Sequence, residues 1–174
     1  MAKVDYVDFQ SRSEPLAFLI TFRTYGTWLH GDERGAVDRR NYHRHGTPAM
    51  PANRRLLNEE KATLKHSPVV LNRLQRSATK AAIREVCAHR GYSLHAINVR
   101  TNHIHSVVTA PCKPDHVLEA FKAYATRKLR EAKLITGNVK PWARHGSTVY
   151  LWTEEQVNRA IGYVIESQGE EPFR

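Results

Sequence analysis

His103-Ile104-His105 is the arrangement in this sequence best suited to holding a metal ion. Strand side chains alternate faces, so in an extended segment the two imidazoles project from one side and Ile104 from the other. Their Cα atoms would lie roughly 7 Å apart, which lets both rings reach one ion above the strand. Neutral imidazole is a common ligand for divalent metals. Spacing alone leaves a second reading open, in which both histidines are half-exposed polar residues beside a turn. His43-Arg44-His45 has the same spacing but a charge in the middle and loop-like neighbours (DRRNYHRHGTP), so nothing there fixes two rings on one face. Val107 and Val108 follow His105 and can anchor its strand in a sheet.

The elements around the pair follow from pattern. Leu16 to Thr27 (LAFLITFRTYGT) is rich in β-branched and aromatic residues and reads as a strand. Residues 29–67 are dominated by Gly, Pro, Arg, His and Asn, a long basic loop. From Pro68 to Arg90, Val70, Leu74, Ala78, Ala81, Ala82 and Val86 recur at helical spacing, and Gly91 supplies a stop. Ser93–Arg100 and Ile104–Ala110 read as two strands of an antiparallel hairpin turning at Thr101 and Asn102. Pro114 and Asp115 open a second helix with Leu118, Phe121, Ala125, Leu129 and Ala132 as its apolar stripe and Gly137 as its end. Lys122, Arg127, Lys128, Arg130 and Lys133 occupy its other faces. Trp142 to Trp152 suggests another hairpin turning at Gly146, and a last helix runs from Thr153 to about Gln168. This order predicts a single α+β domain over 1–174, an antiparallel sheet with helices packed on one face.

Composition narrows the partner. Lys and Arg number 27 against 17 Asp and Glu, a formal charge of +10 with ten neutral histidines. Such a balance suits a polyanion, nucleic acid or an acidic membrane surface. No apolar run approaches the roughly 18 residues that span a bilayer, and MAKVDYVDFQSRSEP lacks the apolar core of a signal peptide, so a cytoplasmic location with no membrane partner is expected. Cys87 and Cys112 have no CxxC spacing and read as reduced residues.

With these residues in view, the sequence resembles the single-tyrosine HUH transposases, including REP-associated tyrosine transposases, where U is the hydrophobic residue between two metal-binding histidines. The resemblance covers most of the chain: LITFRTYGTWLHGDERG, VRTNHIHSVVTA, FKAYATRKLRE and AIGYVIESQG. It implies a ferredoxin-like sheet with the histidines on a central strand, a divalent cation (Mg²⁺ or Mn²⁺), and a nucleophilic tyrosine on a C-terminal helix, the position of Tyr163. Ligand type alone would also admit zinc or nickel. At about 100° per residue, Val157, Ala160, Ile161, Val164 and Ile165 form one stripe and Tyr163 falls about 130° from its centre, where a core tyrosine does not belong. Tyr124, flanked by basic residues, is its competitor. Family members place a third ligand, Gln or Asn, four residues after the tyrosine. Here that position is Ser167, so Gln168 is the preferred third ligand and Glu166 the alternative.

The resemblance implies nicking and joining of single-stranded or hairpin DNA through a 5′-phosphotyrosine, by a protein that is often a homodimer. Lys122, Arg127, Lys128 and Arg130 are the candidate DNA contacts. Two other functions fit the same residues: a domesticated module that binds a DNA or RNA hairpin without cutting it, and a metal-dependent phosphodiesterase using water in place of Tyr163.

Overall fold

The computed structural model describes residues 14–32 and 51–166. Its elements are β1 (Ala17–Thr24), α1 (Arg54–Ala62), α2 (Arg73–Arg90), β2 (Ser93–Val99), β3 (His103–Thr109), α3 (Pro114–Glu131), β4 (Trp142–Leu151) and α4 (Glu154–Glu166). The four strands form one antiparallel sheet in the order β2-β3-β1-β4. Setting aside α1 and α4, the sequence β1-α2-β2-β3-α3-β4 in that strand order is the ferredoxin-like arrangement expected from the sequence.

Local chemistry sets the boundaries. Asn72 caps α2 by accepting from the Gln75 amide while the Gln75 side chain accepts from the Asn72 amide, and Gly91 ends the helix in a left-handed conformation. Pro114 starts α3, where its missing N–H has no intrahelical role, and Asp115 complements the positive helix end. Thr153 accepts from the Gln156 amide as α4 begins.

Alternation along the strands separates two cores. Phe18, Ile20, Phe22, Ile104 and Val108 pack against α2 and α3 through Ile83, Val86, Phe121, Ala125 and Leu129. Ala17, Ala96, Val107 and Leu151 pack against Ala160 and Val164 of α4. Helices therefore lie on both faces, not on one: α4 brings its own apolar stripe to the side that α2 and α3 leave uncovered. His103 and His105, in step with Val107, share the α4 side.

Other sequence expectations are corrected. Trp142 to Leu151 is one continuous strand rather than a hairpin, paired along β1 with Phe22 opposite Gly146. Gly146 is required by packing: a Cβ there would lie 2.7 Å from the Thr21 carbonyl oxygen and 2.8 Å from a methyl of Leu118. The expected basic loop contains α1, which buries none of its residues and is capped by Asn53. Val70 and Leu74 are exposed, because α2 begins only at Arg73 and turns Thr79, Ala82, Ile83, Val86 and Cys87 inward. Helix α3 stops at Glu131, short of Gly137, with Ala132 exposed. Cys87 and Cys112 are free, and burial pushes the Cys87 thiol up to about 11. No helix among the described residues is long and apolar enough to cross a membrane.

Gly146→Ala is expected to destabilise the protein by about 1–3 kcal/mol, since the added methyl meets backbone on one side and packed Leu118 on the other. Urea unfolding measures it. An unchanged midpoint would show that β4 does not approach α3 this closely.

Candidate active site

The site is built on one row of residues across the sheet. Asn98 of β2 pairs with His105 of β3, His105 with Thr21 of β1, and Thr21 with Ser147 of β4. Residues in such a row face the same way, and Asn98, His105 and Thr21 all lie on the α4 side. Ile104, fully buried, points into the opposite core and holds the strand while its neighbours stay on the site.

The imidazoles of His103 and His105 meet edge to face, their centroids 4.8 Å apart. Tyr163 packs its ring edgewise on His105 at 5.5 Å. His105 is 6% exposed whereas Tyr163 is 44% exposed, so the histidine is enclosed and the tyrosine opens to solvent. Burial, and then the nearby charges of His103, Arg100 and Arg23, push the His105 imidazole down to about 4. At neutral pH it is therefore uncharged, the form that binds metals. Its Nδ1 lies 2.8 Å from Thr21 Oγ1, and His103 Nδ1 lies 2.6 Å from Asn102 Oδ1.

Two further devices hold the neighbourhood. Asn98 Nδ2 donates to the carbonyl oxygen of Val164 in the last turn of α4 at 3.0 Å. This bond ties the Tyr163 helix to the residue beside His105. Trp28 packs against His103 with centroids 5.1 Å apart and the rings tilted by 34°, and the Arg23 guanidinium sits 4.5 Å over the indole. Trp28 adopts φ 53°, a left-handed conformation costing about 1–2 kcal/mol for a residue with a Cβ. The turn leading to it is fixed by Gly26 and by Thr27 Oγ1 donating to the Thr24 carbonyl.

The structure brings His103, His105 and Tyr163 together and leaves the competitor Tyr124 on α3, across the sheet, beside His89 and under Arg127. Lys122, Arg127, Lys128 and Arg130 are also on α3, away from the histidines. Lys122 Nζ donates to the carbonyl oxygens of Ala143 at 2.8 Å and His145 at 3.2 Å, and Arg127 and Lys128 pair with Glu85 of α2. Arg130 lines a shallow groove with Lys122, Thr126 and Arg127. The arginines whose charge reaches His105 are Arg23 and Arg100, which sequence reasoning missed along with Thr21, Asn98, Asn102 and Trp28. Trp28 had one visible signal, an aromatic residue just past a glycine turn at a strand end.

Gln168, Ser167, His43 and His45 lie outside the described residues, and Glu166 is exposed at the end of α4. Among the described residues no group of three or more His, Cys, Asp or Glu side chains forms a metal cluster. Among the described residues the candidate donors are two imidazoles, one buried and neutral, which would suit a divalent cation.

The fold is thus an antiparallel ferredoxin-like sheet with a histidine pair on a central strand and a tyrosine on an added helix. A family described as "Transposase IS200 like" matches residues 62–155, more than half of the chain, and the chain belongs to that family of DNA-processing enzymes. The match includes both histidines and ends before Tyr163. Among solved structures, a REP-associated tyrosine transposase bound to a REP hairpin is similar at 13% identity and TM-score 0.50, covering 87% of this chain. This chain spans 65% of that protein's length. A transposase structure from Deinococcus radiodurans is similar at 14% identity and TM-score 0.46, covering 91% of this chain and 95% of that one. No curated protein matches the chain.

Asn98→Ala is expected to lower stability by about 0.5–1.5 kcal/mol, the usual worth of one such hydrogen bond. Amide exchange should accelerate in α4 while α2 and α3 keep their protection. Equal acceleration in all three helices would mean that Asn98 does not hold α4 specifically.

Proposed function

We propose that the chain nicks and rejoins single-stranded DNA at hairpins, with Tyr163 as nucleophile and His103 and His105 as metal ligands. The carrying observation is the packing of the Tyr163 ring on His105 beside His103, which supports a hydroxyl acting next to the two candidate ligands. Family membership and the likeness to a hairpin-bound transposase support the substrate class. The net charge of +10 supports a phosphate-rich partner.

The chemistry follows from what each group can do. The Tyr163 oxygen, after giving up its proton, attacks phosphorus, and the bond from phosphorus to the 3′ oxygen breaks. The products are a 5′-phosphotyrosine and a 3′-hydroxyl that takes up a proton. Because the phosphoester link is conserved, a later 3′-hydroxyl reverses the step and joins strands without ATP. What Mg²⁺ or Mn²⁺ would supply at His103 and His105 is polarisation of the scissile phosphate and neutralisation of charge in the transition state. Gln168 is the proposed third ligand. The exposure of Tyr163 leaves room for a strand to approach it, and the buried, uncharged His105 keeps its lone pair available at neutral pH.

Incubation with labelled single-stranded hairpin DNA and Mn²⁺, followed by a denaturing gel, tests the reading. The wild type is expected to form a slow-migrating covalent adduct that maps to Tyr163. Tyr163→Phe should lose the adduct and lower cleavage by roughly 10³-fold or more, while Tyr124→Phe still cuts. Cleavage without an adduct would instead make water the nucleophile. A hairpin bound but left intact by the wild type would leave only a binding module.

His105→Ala removes one of two imidazole ligands and is expected to abolish Mn²⁺ binding measured by calorimetry. Hairpin binding should persist, since phosphate contacts are spread over many cations. Undiminished Mn²⁺ affinity in both His103→Ala and His105→Ala would contradict the metal assignment.

A further inference from the structure

Both imidazoles beside Tyr163 are held at the same ring atom. Asn102 Oδ1 lies 2.6 Å from His103 Nδ1, and an amide oxygen only accepts, so the proton in that bond belongs to the histidine, which in the neutral ring leaves the lone pair on Nε2. Thr21 Oγ1 lies 2.8 Å from His105 Nδ1, and a hydroxyl serves as acceptor or donor. As acceptor it gives His105 the same tautomer as His103. Free neutral histidine in water favours the proton on Nε2, the reverse state, so the protein has to impose this one.

The fold supplies both partners at fixed positions. The Asn102 backbone oxygen accepts from the Thr24 amide at 2.9 Å and from Thr24 Oγ1 at 3.2 Å, with Thr24 fully buried. The turn is thereby anchored through its main chain, and the Asn102 amide is left to serve His103. Thr21 is the direct cross-strand partner of His105, and its branched Cβ restricts where the hydroxyl can point.

We infer that Asn102 and Thr21 are positioning residues that lock His103 and His105 as Nδ1–H tautomers, so that two Nε2 lone pairs are offered together to one divalent cation. This deepens the metal-dependent reading and rests on it. Hydrogen-bond partners of this kind fix ring orientation and raise ligand basicity, and their loss typically weakens metal binding by about 10–100-fold.

Long-range ¹H–¹⁵N correlation spectra of the metal-free, histidine-labelled protein at neutral pH read the tautomers directly, and Mn²⁺ calorimetry reads their consequence. The wild type is expected to show Nδ1–H at both rings. Thr21→Val and Asn102→Leu should each lose that signature at the adjacent ring and weaken Mn²⁺ binding about 10–100-fold, whereas Thr21→Ser and Asn102→Asp should stay within about threefold of wild type. An Nε2–H signature at either ring of the wild type overturns the lock. So does Mn²⁺ affinity within about threefold of wild type in both Thr21→Val and Asn102→Leu. Failure of the underlying metal reading looks different: wild type and His103→Ala would bind Mn²⁺ equally, while the metal-free spectra still decide the tautomers.

Discussion

The pairing register of β3 between β2 and β1 is the constraint on which the rest of the structure depends. That one strand contributes Ile104 and Val108 to the core under α2 and α3, and His103 and His105 to the opposite face. A slip of one residue would bury the imidazoles in an apolar core and expose Ile104. The register is therefore specified by hydrophobic burial, and the site inherits its precision from packing on the other side of the sheet. Thr21 and Asn98 reach His105 and α4 only because the same register sets them in one row.

The helix α4 completes the site by a compromise. Ala160 and Val164 are buried against the sheet, with Val157 and Ile161 at the edge of that cluster. Tyr163 sits off the apolar stripe, so burial of the helix does not bury its ring. It reaches His105 from the rim of the contact and keeps access to solvent. In the proposed function, that exposure suits a nucleophile that must meet a polymer, and the enclosure of His105 suits a ligand that must stay uncharged.

Much of this was legible in the chain because it is local. The β2–β3 hairpin, the two-residue spacing of the histidines and the stripe of α4, apart from Ile165, which is exposed, are short-range patterns that burial enforces. What stayed hidden depends on partners far away in sequence. Gly146 reads as a turn until Leu118 and the Thr21 carbonyl are seen crowding it. The basic residues of α3 read as a nucleic-acid face, and their neighbours Glu85, beside Arg127 and Lys128, and the carbonyls of β4, beneath Lys122, come from distant parts of the chain. Thr21 looks like any strand threonine, since its hydroxyl finds His105 only across the sheet, 84 residues on. Helix α1 escaped notice because it is short and only Leu56 and Leu57 give it an apolar side, neither of them fully buried.

The central claim is that His103, His105 and Tyr163 converge on one scissile phosphate. Crystals of Tyr163→Phe with an uncleaved single-stranded hairpin, loaded with Mn²⁺ and measured at the manganese absorption edge, locate metal and phosphate together. The account predicts one anomalous peak bonded to both imidazoles, with the phosphate between that peak and the ring at position 163. A peak elsewhere, or a hairpin lying on the α3 face with no phosphate at the histidines, would contradict it.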